Sequence, residues 1–269
     1  MQINYISNHP IHQIPFITAA SSGAGMVDKV LPVLPAQVDS LPPGLEAIIA
    51  TSDLQGRDPN NQRLLGHLVA EELEILAEQG KIPSPKTTGI ILAGDFYAKI
   101  DKRGGVGDVR EVWQAFSSRF RWVVGVGGNH DSFGKTPENI MEFQNERGIH
   151  YLDGNTISVD DIRIAGISGI IGKSNKPFRR LEKDFRKAIQ NIVKELPNIL
   201  ILHEGPNDVE AKLMGNESIR AELATATDLL VICGHSHWKV PMTTFPKKVQ
   251  VLNVDSRAVV LRVGKLPTM

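Results

Sequence analysis

Carboxylates, amides and imidazoles recur along this chain at one kind of place, the end of an apolar run. Asp53 and Gln55 follow EAIIATS, Asp95 follows GIILAG, and Asn129 and His130 follow WVVGVGG; His203 follows NILIL, and His235 and His237 follow LLVICG. Taken singly, each has an ordinary explanation as a turn former, a helix cap or a polar side chain at a loop entrance. Taken together they form a donor set of mixed oxygen and nitrogen. Such a set suits Mn²⁺, Fe²⁺ or Zn²⁺ better than calcium, which takes oxygen alone. So many donors imply two divalent ions, with one carboxylate bridging metals about 3.5–4 Å apart, a spacing that can hold a phosphoryl group and generate hydroxide from water.

Donors of this kind need rigid supports, and the apolar runs before them read as buried strands. Residues 60–79 read as a helix with Leu64, Leu65, Leu68, Val69, Leu73 and Leu76 on one side, and Gly80 as its stop. Further helices are expected over 110–118, 137–147 and 179–195, and a hairpin over TISVDDIRIAGISG with Asp160 and Asp161 at its tip. The order βαβαβ in the first half calls for parallel strands. The chain is therefore read as α/β in four layers, two mixed β-sheets packed as a sandwich and flanked by helices. Ligands of open α/β sheets bind beyond the carboxyl ends of strands, where these donors fall. Residues 1–44, with several prolines and a small-residue stretch over 19–25, read as an irregular extension, either an arm laid over the domain or partly disordered, and 45–269 as the catalytic domain.

Composition narrows the function classes. Lys plus Arg and Asp plus Glu number 30 each, so no summed field draws the chain to an anionic membrane, and long nucleic acids are disfavoured as partners. Cys233 is the only cysteine, which excludes an internal disulfide and fits a reducing compartment. No apolar stretch approaches the roughly 20 residues of a membrane span, and no basic start precedes an apolar signal core, so a cytoplasmic protein is expected. The run GISGIIGKS fails as a phosphate loop, because five residues separate Gly166 from Gly172 where the fingerprint needs four.

The motifs DLQG, GDFY, GNHD, the histidine of LHEGP, and GHSH occur in the order found in the calcineurin-like metallophosphoesterase superfamily, which residues 45–260 resemble. The resemblance implies that Asp53, Asp95 and His237 bind a first metal and that Asp95, Asn129, His203 and His235 bind a second, with Asp95 as the bridge. It implies that His130, beside Asn129, contacts the phosphoryl group and protonates the leaving oxygen, and that Asp131 holds the loop or His130. A metal-bound hydroxide would then attack phosphorus in line.

Two departures stand out. Gln55 occupies the place of a metal-binding histidine; its amide oxygen is a neutral, harder donor that shifts preference toward Mn²⁺ or Mg²⁺. GDFYAKID lacks the Asp-Arg of the phosphoprotein phosphatase branch, which argues against a protein substrate. Arg57, just after the Asp53 loop, reads either as a fork for substrate phosphate or as a surface arginine. The expected activity is hydrolysis of a small phosphoester or nucleotide, as monoester or diester. The alternative, resting on Gln55, is a non-catalytic binding or scaffold protein with a degraded first site.

Overall fold

The computed structural model describes residues 1–20, 25–102 and 104–264, so part of the small-residue stretch over 19–25 lies outside the described residues. Residues 1–20 and 25–38 are not the irregular extension expected from their prolines. They form β1 (Ile3–Ile6), β2 (His12–Ala19) and β3 (Met26–Val38), with β3 pairing antiparallel to both of the others. In β2 the alternation that buries Ile14 and Phe16 while exposing Gln13 and Pro15 is that of a half-buried strand. Pro15 is tolerated because β2 pairs only with β3 and is an edge strand.

The motif strands follow. β4 (Ala47–Ser52) leads into α1 (Leu65–Glu78), β5 (Thr88–Leu92), the short β6 (Gly107–Asp108), α2 (Arg110–Ser117), β7 (Trp122–Gly125), the short β8 (Asp131–Ser132), α3 (Pro137–Gln144) and β9 (Ile149–Tyr151). β4, β5, β7 and β9 pair in parallel, as the βαβαβ order requires. α1 starts later than expected, at Leu65, because the backbone of Leu65 is tied to Gly56 and that of Asp58 to Gln62 and Arg63.

β10 (Asn155–Val159) and β11 (Ile162–Ile167) form the expected hairpin, turning at Asp160 and Asp161, both at positive φ. β12 (Ile170–Ile171) and β13 (Arg179–Arg180) make a small ladder, which delays α4 (Glu182–Lys194) by three residues. Then come β14 (Ile199–Glu204), α5 (Glu217–Leu223), β15 (Leu229–Gly234), β16 (Met242–Phe245), β17 (Val249–Asn253) and β18 (Arg257–Val263). The larger sheet runs β1-β3-β18-β4-β5-β7-β9 with β2 attached to β3, and the smaller runs β10-β11-β14-β15-β17-β16. After β17 the chain thus leaves the second sheet, and β18 enters the first between β3 and β4, with the turn before it crossing the strand ends.

β4 shows why the layers hold. Ile48 and Ala50 face the inner core with Ile91, Val124, Ile199 and Ile232, while Ala47 and Ile49 face α1 and α2 on the other side. α4 and α5 cover the outer face of the second sheet through Phe185, Ile189 and Ile219. Among the described residues no helix is long and apolar enough to cross a membrane.

Below the loops that leave β5 and β7, Trp113 packs edge-on against Phe96, Phe133 and Phe143 at centroid distances of 6.4, 5.8 and 5.5 Å. Phe96 follows Asp95 and Phe133 lies two residues past Asp131, so this cluster anchors two motif loops from beneath. Trp113→Ala is expected to cost about 3–5 kcal/mol of folding stability in a urea titration. A loss below about 1 kcal/mol would show that the cluster does not anchor the fold.

Candidate metal centre

The donors converge at the carboxyl ends of β4, β5 and β7 from one sheet and β14 and β15 from the other. Asp53, Asp95 and His235 each sit at positive φ, +53°, +62° and +65°. This left-handed backbone is costly for residues with a Cβ, and it turns each chain sharply at its strand end. Two motif glycines are required by crowding. A Cβ on Gly128 would lie 2.1 Å from Asp95 Oδ1, and one on Gly234 would lie 2.2 Å from Asp53 Oδ2.

Asp95 is the hub, with only 2% of its surface exposed. Its Oδ1 accepts the His130 backbone N–H at 2.8 Å, and its Oδ2 lies 3.2 Å from Gln55 Nε2, 3.3 Å from His203 Nε2 and 4.0 Å from His130 Nε2. Burial opposes ionisation of Asp95, but His203 and His130 outweigh it and hold the carboxyl below its usual range.

The second-metal residues gather around this carboxylate. Donor atoms of Asp95, His203 and His235 lie within 4.8 Å of one another, a spacing that admits one ion. His203 is fully buried; its Nδ1 donates to the Ala93 carbonyl at 2.8 Å, which leaves Nε2 toward the centre. That Nε2, which lies 3.3 Å from Asp95 Oδ2 but out of line for a hydrogen bond, and Asn129 Oδ1 are both buried without a hydrogen-bond partner, an arrangement a cation would relieve. Burial works against a charge on His203, yet Asp95 and then Asp53 push the imidazole up to about 10. His235 is held down to about 4 by burial and by the His203 charge, which keeps it neutral as a ligand must be. The donor set fits a divalent ion.

The first-metal residues line a cleft of about 570 Å³ that includes Asp53, Gln55, His235 and His237. Asp53 Oδ2 accepts from Ser52 Oγ at 2.7 Å and from the His235 backbone N–H at 2.9 Å. Burial raises its carboxyl, Asp255 and Asp95 add to that, and it is pushed up to about 8. Gln55 directs its amide nitrogen at Asp95, so ligation by its oxygen requires the amide to turn over. His237 is exposed, and its Nδ1 lies 2.7 Å from Asp255 Oδ2, an arrangement that leaves Nε2 for an ion and makes the ring a stronger donor.

Asp255 is the residue that reading the sequence missed. It is 7% exposed and sits in the turn between β17 and β18. The signal was present, since Asp255 follows the apolar run VQVLNV as the other donors follow theirs. Arg257 beside it spends its guanidinium on the carbonyls of Asp255 and Trp238.

Three expected residues take defined places. His130 Nδ1 donates to the Gly105 carbonyl at 2.8 Å, which leaves Nε2 on the Asp95 side. Asp131 is fully buried and accepts three backbone N–H groups, from Asp95, Phe96 and Gly128 at 2.7–2.9 Å. Burial and Asp95 nonetheless push it up to about 6. It ties the Asp95 loop to the Asn129 loop and is not among the residues that line the cleft. The Arg57 guanidinium donates to the Ala98 carbonyl from two nitrogens and to that of Gln62 from the third, bracing the loop after Asp95.

A model of calcineurin-like phosphoesterases matches residues 47–239 of this chain. No curated protein matches it. Similar solved structures include a phosphopantetheinyl hydrolase from Mycobacterium tuberculosis, with 16% identity over 79% of this chain and 90% of that one at a TM-score of 0.49. A hypothetical protein from Thermus thermophilus shares 13% identity over 77% and 75% at a TM-score of 0.46. A dimetal phosphatase from Danio rerio shares 11% over 79% and 87% at 0.44.

Without metal, protons hold this cluster together. The folded Asp53 carboxyl lies above its unfolded value of 3.8 and the folded His203 above 6.5, so the stability each contributes is full below those values and is lost as pH rises through about 8 and about 10. His235, lowered in the fold, is neutral in both states above 6.5 and adds no slope there. The melting temperature of chelator-treated protein, followed by calorimetry, is therefore expected to fall between about pH 6.5 and about pH 8. Mn²⁺ should raise it at each pH and flatten the slope, because the ion replaces the protons. A melting temperature that rises over this interval without metal would contradict the cluster's electrostatics.

Proposed function

The chain belongs to the calcineurin-like phosphoesterase family, a family of metal-dependent hydrolases, and from that premise we propose that it hydrolyses a small phosphoester at a dinuclear centre. The observation that carries the reading is the cluster of buried Asp95 and His203 with the exposed His235, in which two buried donor atoms, His203 Nε2 and Asn129 Oδ1, make no hydrogen bond. Asp95, Asn129, His203 and His235 would hold one ion. Asp53, Asp95 and His237, with the Gln55 amide oxygen, would hold the other. When bound, the two ions would neutralise the phosphoryl oxygens and make water acidic enough to attack near neutral pH. The neutral amide at Gln55 favours Mn²⁺ or Mg²⁺ in the first position.

The protein's own work centres on His130. Its Nδ1–H is committed to the Gly105 carbonyl, so the ring is fixed with Nε2 free to carry a proton to the departing alcohol oxygen. Its backbone N–H holds Asp95, so the acid and the proposed bridging carboxylate keep a fixed relation. Asp255 aligns His237, and Asp131 fixes the two loops that carry Asp95 and Asn129.

Hydrolysis of 4-nitrophenyl phosphate and bis(4-nitrophenyl) phosphate, with Mn²⁺ added or withheld, tests the reading and separates monoesterase from diesterase. His130→Ala is expected to lower kcat by about 10²–10⁴-fold while metal content stays at the parent level. Parent protein that binds metal but turns over neither ester, or a His130→Ala variant as fast as the parent, would favour the scaffold alternative or another acid.

A further inference from the structure

The cleft over the metal residues is larger than a phosphoryl group needs, and much of its wall comes from outside the family match at 47–239. The β2–β3 hairpin contributes Phe16, Val27, Lys29, Val30 and Pro32. This hairpin is fastened to the metal loop. Ile17 and Arg57 exchange backbone hydrogen bonds of 3.0 and 2.8 Å, and Thr18 Oγ1 donates to the Gln55 carbonyl at 2.8 Å. The wall is therefore fixed relative to Asp53 and Gln55.

Two features of the wall call for a ligand. Val27, on the same face of β3 as Lys29, lines the cleft while 39% exposed, and the Tyr97 ring, with the Arg57 guanidinium 5.9 Å from its centroid, continues the apolar surface. Three cations, Lys29, Lys99 and Lys102, line the same cleft, and among the described residues none of them is ion-paired to a carboxylate. The Lys99 stem lies 3.1 Å from the place of a Cβ on Gly105, the residue whose carbonyl orients His130. Its charge is thus carried next to the leaving-group side of the site. The scissile phosphoryl would be neutralised by the metals, so three further cations exceed what a simple phosphomonoester uses.

We propose that the substrate is a phosphoester whose alcohol carries an apolar ring and a second anionic group. The ring would lie against Val27 and Tyr97, and the second anion would meet Lys29, Lys99 and Lys102. The step is ordinary hydrolysis: the ester P–O bond breaks, water supplies oxygen to phosphorus, and its proton balance is completed on the released alcohol. This proposal rests on the phosphoesterase reading above and adds the identity of the leaving group.

The test compares kcat/KM for adenosine 3′,5′-bisphosphate, adenosine 3′-phosphate and glycerol 2-phosphate. The parent is expected to prefer the bisphosphate over glycerol 2-phosphate by at least about tenfold, about 1.4 kcal/mol, with the preference shrinking as salt rises. In Lys99→Met/Lys102→Met the bisphosphate to 3′-phosphate ratio should fall toward one, and in Val27→Asp the 3′-phosphate to glycerol 2-phosphate ratio should fall. Ratios compare substrates on the same folded protein, so a loss of fold cannot imitate the result. Equal kcat/KM for all three esters in the parent, or ratios unmoved by these substitutions, would overturn the proposal. If no ester is turned over, the phosphoesterase reading fails, and calorimetric titration with adenosine 3′,5′-bisphosphate decides the cleft separately. Binding lost in Lys99→Met/Lys102→Met sustains it, and no binding or equal binding overturns it.

Discussion

A carboxylate with 2% of its surface exposed must find its compensation inside the protein, and Asp95 finds it in three places. A backbone N–H from the Asn129 loop meets one oxygen, while His203 and the Gln55 amide meet the other. Asp53, Asp131 and Asp255 lie in the same neighbourhood, and burial together with mutual repulsion raises two of them, Asp53 and Asp131, well above the usual carboxylate range. So much negative potential in a site of low solvent access attracts cations strongly. In the bare protein His203 answers by holding a proton against Asp95; two divalent ions would answer better, and they would take up Asn129 Oδ1, which makes no hydrogen bond, as well.

The fold serves this constraint through its strand ends. Parallel strands β4, β5 and β7 bring three motif loops side by side, and the second sheet brings His203 and His235 from across the sandwich core. The left-handed turns at Asp53, Asp95 and His235 and the bare backbone at Gly128 and Gly234 let the loops approach closely enough to share one carboxylate. Asp131 then ties two of these loops together with three backbone hydrogen bonds. The return of the chain into the first sheet at β18 sets Asp255 against His237, so the exposed His237 ring has a carboxylate to fix it.

The motif strands and their donors were legible because each is a short apolar run buried on both faces, followed at once by a polar residue that the run cannot absorb. β1 to β3 were not legible, because Pro15, Pro32 and Pro35 disguise strands that lie at the edge or change partners along their length. Arg57 was left open by the sequence between a phosphate fork and a surface arginine, and its contacts with the Ala98 and Gln62 carbonyls are ones that only the folded loop brings near. Asp255 carried the same signal as the other donors; what made it meaningful was the crossing of β18 between sheets, a long-range pairing that no local pattern encodes. Gln55 was visible as a departure, and its contact with Asp95 shows that the position still belongs to the centre.

Equilibrium dialysis of the purified protein against Mn²⁺, with bound metal counted by elemental analysis, bears most directly on the role of Asp95. Two equivalents are expected in the parent and close to none in Asp95→Asn, since a single bridging carboxylate serves both ions. Two equivalents retained by Asp95→Asn, or a parent that never exceeds one, would contradict a shared dinuclear centre built on this residue.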